Sequence, residues 1–206
     1  MDLASLTAGL EWGQGLEQDL TALLRKHQRL STLAHVQRVA EEAKRLALRF
    51  GEDAQAAHGA GLLHDVSAVI PKDLRLEAAR QWGVDILAEE ESQPVLLHQN
   101  LSRVMARELF SITDERILSA IGCHTTLRPG AGRMDMLLFV ADKIAWDQPG
   151  QPPYLPELAK GLERSLEQAA LAYLEYLEAS LGRPLHPWAQ GALIDLRATR
   201  GEFPGG

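Results

Sequence analysis

Apolar residues recur at helical spacing along nearly the whole chain. The clearest stripe comprises Leu33, Val36, Val39, Ala40, Ala43, Leu46, Ala47 and Phe50. Ser31 and Thr32 are candidate N-caps for this helix, and Gly51 is the residue type favoured just past a helix end. No segment shows the alternation of a half-buried strand. The pattern therefore predicts an all-α fold.

Further helices are expected near residues 53–65, 73–82, 98–109, 114–124, 133–147, 157–180 and 186–198, with Asp53 as a cap and a proline-rich loop over 147–154. A chain of 206 residues favours one compact domain. We expect an N-terminal helical extension over 1–30, a single helical domain over 31–198 and a flexible tail over 199–206.

Composition excludes several classes of protein. Hydrophobic residues make up 46% and charged residues 24%, which is ordinary for a globular chain. The net charge of −7 disfavours nucleic acid as a partner, and the longest apolar run, 136–141, is too short to cross a bilayer. We therefore expect a cytoplasmic protein. Cys123 is the single cysteine, so any metal must be held by nitrogen and oxygen.

Six metal-capable side chains lie next to residues that should face the core. Asp142, for example, directly follows the apolar run 136–141, and burying an unpaired charge costs several kcal/mol. Each one alone has an ordinary alternative, such as a buried ion pair for Asp142, a helix-start position for His98 or a surface position for His35. Together they indicate a site for divalent ions. The six are His35, His64, Asp65, His98, His124 and Asp142.

The order of these residues resembles the HD superfamily of metal-dependent phosphohydrolases, which is named for its adjacent His-Asp pair. The local motifs are Gly61-Leu-Leu-His-Asp65, Leu96-Leu-His98, Cys123-His-Thr-Thr126 with Arg128-Pro129, Val140-Ala-Asp142 and Gly182-Arg-Pro-Leu-His-Pro187. Together they look like the YqeK branch, whose members cleave diadenosine tetraphosphate symmetrically to two ADP. The resemblance covers roughly residues 30–190 by motif placement.

The resemblance implies an HD-domain helical bundle with two divalent metal ions, iron first, with manganese or magnesium as alternatives. His35, His64, Asp65 and Asp142 would hold one ion, and Asp65, His98 and His124 the other. His64 and Asp65 would be the catalytic pair, with Asp65 as the bridge. A hydroxide held between the ions would attack a dinucleoside polyphosphate or another nucleotide.

Several positions depart from the family pattern, and they concern the substrate. The family's lysine three residues after Asp65 is Ala68 here, its glycine after the Leu-Leu-His motif is Gln99, its glycine after His-Thr-Thr is Leu127, and an arginine is replaced by Thr32. Arg128 is our first candidate to bind a substrate phosphate, because guanidinium binds phosphate through two parallel hydrogen bonds. Further candidates are Thr125, Thr126, Lys143, Arg133 and Lys72.

Two other functions remain open from the sequence. An HD nucleotidase acting on a nucleoside monophosphate would use the same ligands, and a degenerate HD module would bind a nucleotide or a partner without catalysis. A homodimer is also left open. His186 matches a family position weakly, and His27 and His58 are expected at the surface.

Overall fold

The computed structural model describes residues 2–146 and 148–199, and every regular element within these ranges is a helix. The α-helices are α1 (Leu3–Thr7), α2 (Leu16–Lys26), α3 (Leu30–Phe50), α4 (Ala54–Leu63), α5 (Arg75–Gln81), α6 (Ala88–Ser92), α7 (His98–Glu108), α8 (Glu115–Cys123), α9 (Arg133–Ile144), α10 (Leu155–Arg164), α11 (Leu166–Ser180) and α12 (Pro187–Thr199). Short 3₁₀ segments span Val66–Val69, Lys72–Leu74 and Pro94–Leu97. The predicted all-α class is confirmed.

Helix α9 lies at the centre of the bundle. Every residue from 134 to 141 is buried, and Phe139 has no exposed surface. A helix that is buried on all sides belongs in a core, and α9 packs against α3, α4, α8 and α11. Asp142 follows the buried run, so α9 brings a carboxylate into the middle of the bundle. None of the described helices, α9 included, is both long and apolar enough to span a membrane.

Helices α3 and α4 approach each other closely at Gly61. A Cβ atom at this position would lie 2.5 Å from the Cα and 2.8 Å from the backbone nitrogen of Ala40. Backbone atoms cannot move aside as a flexible side chain can, so a side chain at residue 61 would push the helices apart. This contact brings His64 beside His35, with ring centroids 5.2 Å apart.

The predicted start of α3 is wrong. Ser31 and Thr32 are not caps, because the helix begins at Leu30 and Arg29 is its N-cap, without a side-chain cap bond. The backbone nitrogen of Leu33 already donates to the carbonyl of Arg29 at 2.9 Å. The two hydroxyl residues therefore lie in the first turn of the helix.

The caps expected after α3 are confirmed. Gly51 adopts the left-handed conformation, with φ 72° and ψ 29°, and ends α3. Asp53 is the N-cap of α4, because its carboxylate accepts hydrogen bonds from the backbone nitrogens of Gln55 and Ala56 in the first turn. The tight turn between the two caps sets the antiparallel pairing of α3 and α4.

The single helix predicted over 157–180 is wrong. It is divided into α10 and α11 at Ser165, which is extended, with φ −165° and ψ 170°. The Ser165 side chain caps α11 by accepting from the nitrogen of Gln168 at 3.2 Å. Gly161 permits the two helices to pack closely, because a Cβ there would lie 2.5 Å from the carbonyl oxygen of Gln168. Apolar periodicity continues across this corner, so the pattern alone did not reveal it.

Residues before α3 contribute to the same core as the rest of the chain. Leu20, Leu23 and Leu24 of α2 have no exposed surface, and α2 packs against α3, α4 and the Val66–Val69 segment. The division into 1–30, 31–198 and 199–206 remains a prediction. Of the expected tail, only Thr199 lies within the described residues.

We predict that Gly61→Ala destabilises the fold by about 1–3 kcal/mol, because the added methyl group overlaps the backbone of α3. Gly59→Ala is the matched control on the same helix. A Cβ there meets nothing within 4 Å, so we expect unchanged stability or a gain of up to about 1 kcal/mol. Urea unfolding followed by circular dichroism measures both. Equal midpoints for Gly61→Ala and the wild type would contradict the close-contact interpretation.

Candidate metal centre

The six residues singled out in the sequence converge in one place. Four of them lie at helix ends, where a side chain can leave its helix and point into a shared space. His64 and His124 are the C-caps of α4 and α8, Asp65 precedes the Val66–Val69 segment, and His98 is the first residue of α7. His35 and Asp142 project from within α3 and α9.

Three of the histidines share one local geometry. The Nδ1 atom of each faces the carbonyl oxygen three residues earlier, at 2.7 Å for His64, 2.7 Å for His98 and 2.8 Å for His124. A carbonyl oxygen only accepts, so Nδ1 carries the proton and donates. In the neutral ring the Nε2 atom is then a bare lone pair. All three lone pairs are directed into the same space.

The carboxylate of Asp65 lies between the histidines. Its Oδ2 atom is 3.7 Å from Nε2 of His64, whereas its Oδ1 atom is 3.5 Å from Nε2 of His98 and 3.6 Å from Nε2 of His124. The two oxygens of one carboxylate therefore face different partners. This is the arrangement of a carboxylate that can bridge two ions.

Asp142 anchors the other side of the cluster. Its Oδ1 atom is 3.1 Å from Nε2 of His35 and 3.6 Å from Nε2 of His64. Its Oδ2 atom accepts a hydrogen bond from Nζ of Lys143 at 2.6 Å. One oxygen thus faces the cluster while the other is neutralised from outside it.

The donor set fits divalent ions. His35, His64 and Asp142 form one group whose ligand atoms all lie within 4.8 Å of one another, and His64, Asp65 and His124 form a second. Metal bonds of about 2.0–2.2 Å place two donors of one ion roughly 3–3.5 Å apart, close to the separations found here. The Nε2 atom of His64 is buried and has no hydrogen-bond partner among the described residues. A bound cation would give this nitrogen the partner that it lacks.

The electrostatics of the cluster favour ionised carboxylates and neutral rings at His98 and His124, whereas burial lowers the pKa of His64 but Asp65 and Asp142 outweigh this and raise it. Burial raises the pKa of Asp65, but the charge of His64 is the largest opposing cause and the pKa falls to about 2. Burial likewise raises the pKa of Asp142, and the ammonium group of Lys143 is the largest cause that holds it well below its usual value. Burial lowers the pKa of His124 well below its usual value. The ionised carboxylates and the neutral rings of His98 and His124 are in the protonation states that metal ligands need.

Two serines fix Asp65 relative to His98. The Ser67 hydroxyl donates to the backbone carbonyl of His98 at 2.8 Å, and the Ser102 hydroxyl donates to Ser67 at 2.9 Å. Ser102 also accepts from the backbone nitrogen of Ser67 at 3.1 Å. Both side chains are fully buried, so these hydrogen bonds hold the segment after Asp65 against α7.

Gln99 organises the turn that follows His124. Its side-chain oxygen accepts from the backbone nitrogens of Thr125 at 3.2 Å and Thr126 at 3.3 Å, and its nitrogen donates to the Thr126 hydroxyl at 3.1 Å. Gln99 is fully buried. The sequence marked this position only as a departure from the family's glycine, whereas the structure gives it a supporting role.

Of the candidates for substrate contact, Thr125 lies nearest to the ligands. Its hydroxyl is 2.9 Å from Nε2 of His98. Thr126 is buried, and its hydroxyl donates to the carbonyl of Leu127. The hydroxyl of Thr125 can therefore reach a ligand in the cluster, whereas that of Thr126 belongs to the turn.

Three of the four candidate cations are paired with protein groups. Arg128 contacts Asp135 at 2.8 Å, and its Nε donates to a serine hydroxyl at 3.1 Å. Arg133 bonds to Glu52 and to the carbonyl at the end of α3, away from the cluster. Lys143 does reach the cluster, but its ammonium group forms an ion pair with Asp142. The structure thus gives no support to Arg128 or Arg133 as phosphate ligands. Lys72 is exposed.

The HD domain family model matches residues 32–179, a range that contains all six clustered residues. The chain belongs to the HD domain family. It is an HD superfamily hydrolase, and its expected family and enzyme class are confirmed.

Similar proteins come from several bacteria. A Lactococcus lactis subsp. cremoris protein, named as an uncharacterized protein in the pepC 5' region, is 43% identical over 66% of this chain and 70% of its own length. A Bacillus subtilis protein named symmetrical bis(5'-nucleosyl)-tetraphosphatase is 31% identical over 66% of this chain and 72% of its own. The crystal structure of a predicted HD superfamily hydrolase involved in NAD metabolism from Clostridium acetobutylicum superposes with a TM-score of 0.81 at 27% identity, covering 90% of this chain and 99% of that one.

One cation beside the HD centre had no signal in the sequence. Arg75 begins α5 and is only 7% exposed. Its Nη1 atom donates to the carbonyl of Val95 at 3.3 Å, the same oxygen that accepts from Nδ1 of His98. Burial lowers the pKa of Arg75, and the Asp65 carboxylate partly offsets this. Nothing in one sequence places α5 beside the Pro94–Leu97 segment, so spacing could not have identified it.

The other histidines lie apart from the HD centre. His27 and His58 are partly buried rather than fully exposed; His27 contacts a backbone carbonyl of α1 at 2.9 Å, and His58 pairs with Glu41 at 3.2 Å. His186 is buried, with its Nε2 atom 3.6 Å from Glu90. None of the three belongs to either of the two candidate ligand groups.

We predict that Asp65→Ala loses bound metal, because it removes the carboxylate that faces both sets of histidines. We expect less than about one tenth of the wild-type metal content, in line with the loss on removing a group that supports a metal site. Elemental analysis of the purified, dialysed protein measures the content. His58→Ala is the control and should keep the wild-type metal. A full complement of metal in Asp65→Ala would refute the bridging arrangement.

Proposed function

We propose that this protein hydrolyses the phosphoanhydride chain of dinucleoside polyphosphates and cleaves diadenosine tetraphosphate symmetrically to two ADP. The main support for this proposal is the carboxylate of Asp65. Its two oxygens face different histidines and so suit two ions side by side. The names of relatives from Bacillus subtilis and Staphylococcus aureus, both symmetrical bis(5'-nucleosyl)-tetraphosphatases, support this choice of substrate.

The proposal assigns one ion to His35, His64, Asp65 and Asp142 and the other to Asp65, His98 and His124. Nitrogen and carboxylate donors without thiolates suit iron, with manganese or magnesium able to substitute. Ions bound here supply an activated water near neutral pH and positive charge for the phosphoryl oxygens. The chain's own contribution is to fix the donor positions and to direct the Nε2 atoms of His64, His98 and His124 into one space by holding each Nδ1 atom on a backbone carbonyl.

Asp65 and His64 are the proposed catalytic pair. Asp65 sets the separation of the two subsites, because its oxygens are a fixed distance apart. The His64 side chain is fully buried and is held by the Gly61 carbonyl, so its Nε2 atom cannot rotate away from Asp65 and Asp142. Such preorganisation lowers the reorganisation needed during the reaction.

Thr125 is the proposed substrate-binding hydroxyl. Here its hydroxyl donates to the lone pair of His98. When His98 uses that lone pair as a ligand, the hydroxyl is released to donate to a phosphoryl oxygen. Lys143, Arg128 and Arg133 are not part of this proposal, because their charges are already paired with Asp142, Asp135 and Glu52.

We predict that the metal-loaded protein converts diadenosine tetraphosphate to two molecules of ADP, as resolved by ion-exchange chromatography. Removal of the metal with a chelator should abolish turnover, and re-addition of ferrous iron under anaerobic conditions should restore it. ATP and AMP as products would contradict symmetrical cleavage. Release of phosphate from AMP, with diadenosine tetraphosphate left intact, would instead favour the nucleotidase alternative.

We predict that Thr125→Val lowers kcat by roughly five- to tenfold, because it removes one neutral hydrogen bond of about 1 kcal/mol to the reacting phosphate. Thr125→Ser keeps the hydroxyl and should retain most of the wild-type kcat. Metal content is measured in both variants and should not change. If the valine variant turns over at the wild-type rate, this hydroxyl does not contact the reacting group.

A further inference from the structure

A cavity of about 210 Å³ adjoins the metal centre on the side of α11. Two residues in its lining, Thr125 and Lys143, also contact metal-centre residues. The Thr125 hydroxyl is 2.9 Å from Nε2 of His98, and the Lys143 ammonium is 2.6 Å from Asp142. A molecule that fills this cavity therefore lies directly beside the ligands, and one that extends out of it can reach them.

Half of the residues that line the cavity are apolar, and the polar half includes Glu89, Arg183 and His186. Leucines from three separate segments and one aromatic ring line it, and we call it the leucine pocket. Its apolar lining residues are Leu96, Tyr173, Leu177, Leu181 and Leu185, together with Pro184 and Ala189. Leu96, Leu177 and Leu181 are only partly buried. Their exposed area would be removed from water by a flat apolar ligand, which is favourable in proportion to that area.

The same wall carries one side-chain amide without a partner. Gln93 lines the pocket, is partly buried, and its amide makes no hydrogen bond within the described residues. An amide carries both a donor and an acceptor, and this pair matches the adjacent donor and acceptor on the edge of adenine. The metal centre, which suits phosphate groups, and the pocket, which is partly apolar and carries an amide, thus lie next to each other.

We propose that the leucine pocket binds the nucleobase of one nucleoside of the substrate, with the amide of Gln93 contacting the edge of the base. This inference rests on the proposed function. Pockets for whole drug-sized ligands have volumes of about 300–1,000 Å³, so this smaller one takes a single base with part of its ribose. The second nucleoside of a symmetrical substrate lies outside it.

The test compares ligands with and without a base. Isothermal titration calorimetry of the metal-loaded protein measures the Kd of ADP and of inorganic pyrophosphate. Leu177→Trp fills the pocket and should weaken ADP binding by about tenfold or more, with pyrophosphate binding unchanged. Leu48→Trp is the matched control, since Leu48 is 71% exposed on α3, and should leave both constants unchanged. Gln93→Leu should reduce the preference for ADP over UDP.

Two results of the calorimetry would overturn the leucine pocket as a base site. One is unchanged ADP affinity in Leu177→Trp. The other is an equal loss of affinity for ADP and pyrophosphate, which would place the effect on the phosphate site.

Failure of the proposed function would give a different set of results. Selective loss of ADP binding in a protein that does not cleave diadenosine tetraphosphate supports the pocket and contradicts the reaction. Wild-type KM for diadenosine tetraphosphate in Leu177→Trp contradicts the pocket and leaves the reaction standing.

Discussion

The structure depends on a cluster of electron-rich side-chain atoms that lack enough hydrogen-bond donors or cations within the polypeptide itself. Three imidazole lone pairs and two ionised carboxylates face one another in a largely buried space, with the Nε2 atoms of His98 and His124 only 3.1 Å apart. Like-signed groups in such surroundings repel strongly, because little water is present to screen them. Divalent ions bound among these groups would remove that repulsion. The bundle of helices around α9 supplies the packing that holds these groups together.

The same constraint would allow a chain with a net charge of −7 to act on the proposed polyanionic substrate. Lys143 cancels much of the charge of Asp142, and the remaining carboxylate, Asp65, is shared between the two proposed subsites. Two divalent ions, as proposed, would leave the centre positive even though the protein as a whole is acidic. The phosphates of the proposed substrate would then be drawn to the ions themselves. A large set of free arginines is therefore unnecessary, and Arg128 and Arg133 pair with protein carboxylates instead.

Much of the centre could be predicted from the sequence because burial and periodicity are local signals. Asp142 follows an apolar run, and His124 lies on an inward stripe, so each stood out without knowledge of its partners. The all-α class followed from the same spacing. The bend at Ser165 was missed because the apolar pattern continues across it. The pairing of Arg133 with Glu52 was missed because it joins residues 81 positions apart, and no local rule brings them together.

Two of the departures from the family pattern meet at the same turn. Leu127 occupies a position where the family has glycine, and it adopts a positive φ of 59°. That conformation costs a branched residue about 1–2 kcal/mol. Leu127 is fully buried, and burying a leucine side chain contributes about 1.5–3 kcal/mol, which offsets the strain. Gln99, the second departure, accepts from the backbone nitrogens of Thr125 and Thr126 in the same turn. Leu127 thus adopts the positive φ, and Gln99 adds hydrogen bonds to the two residues before it. The turn holds Thr125 against His98 without a glycine.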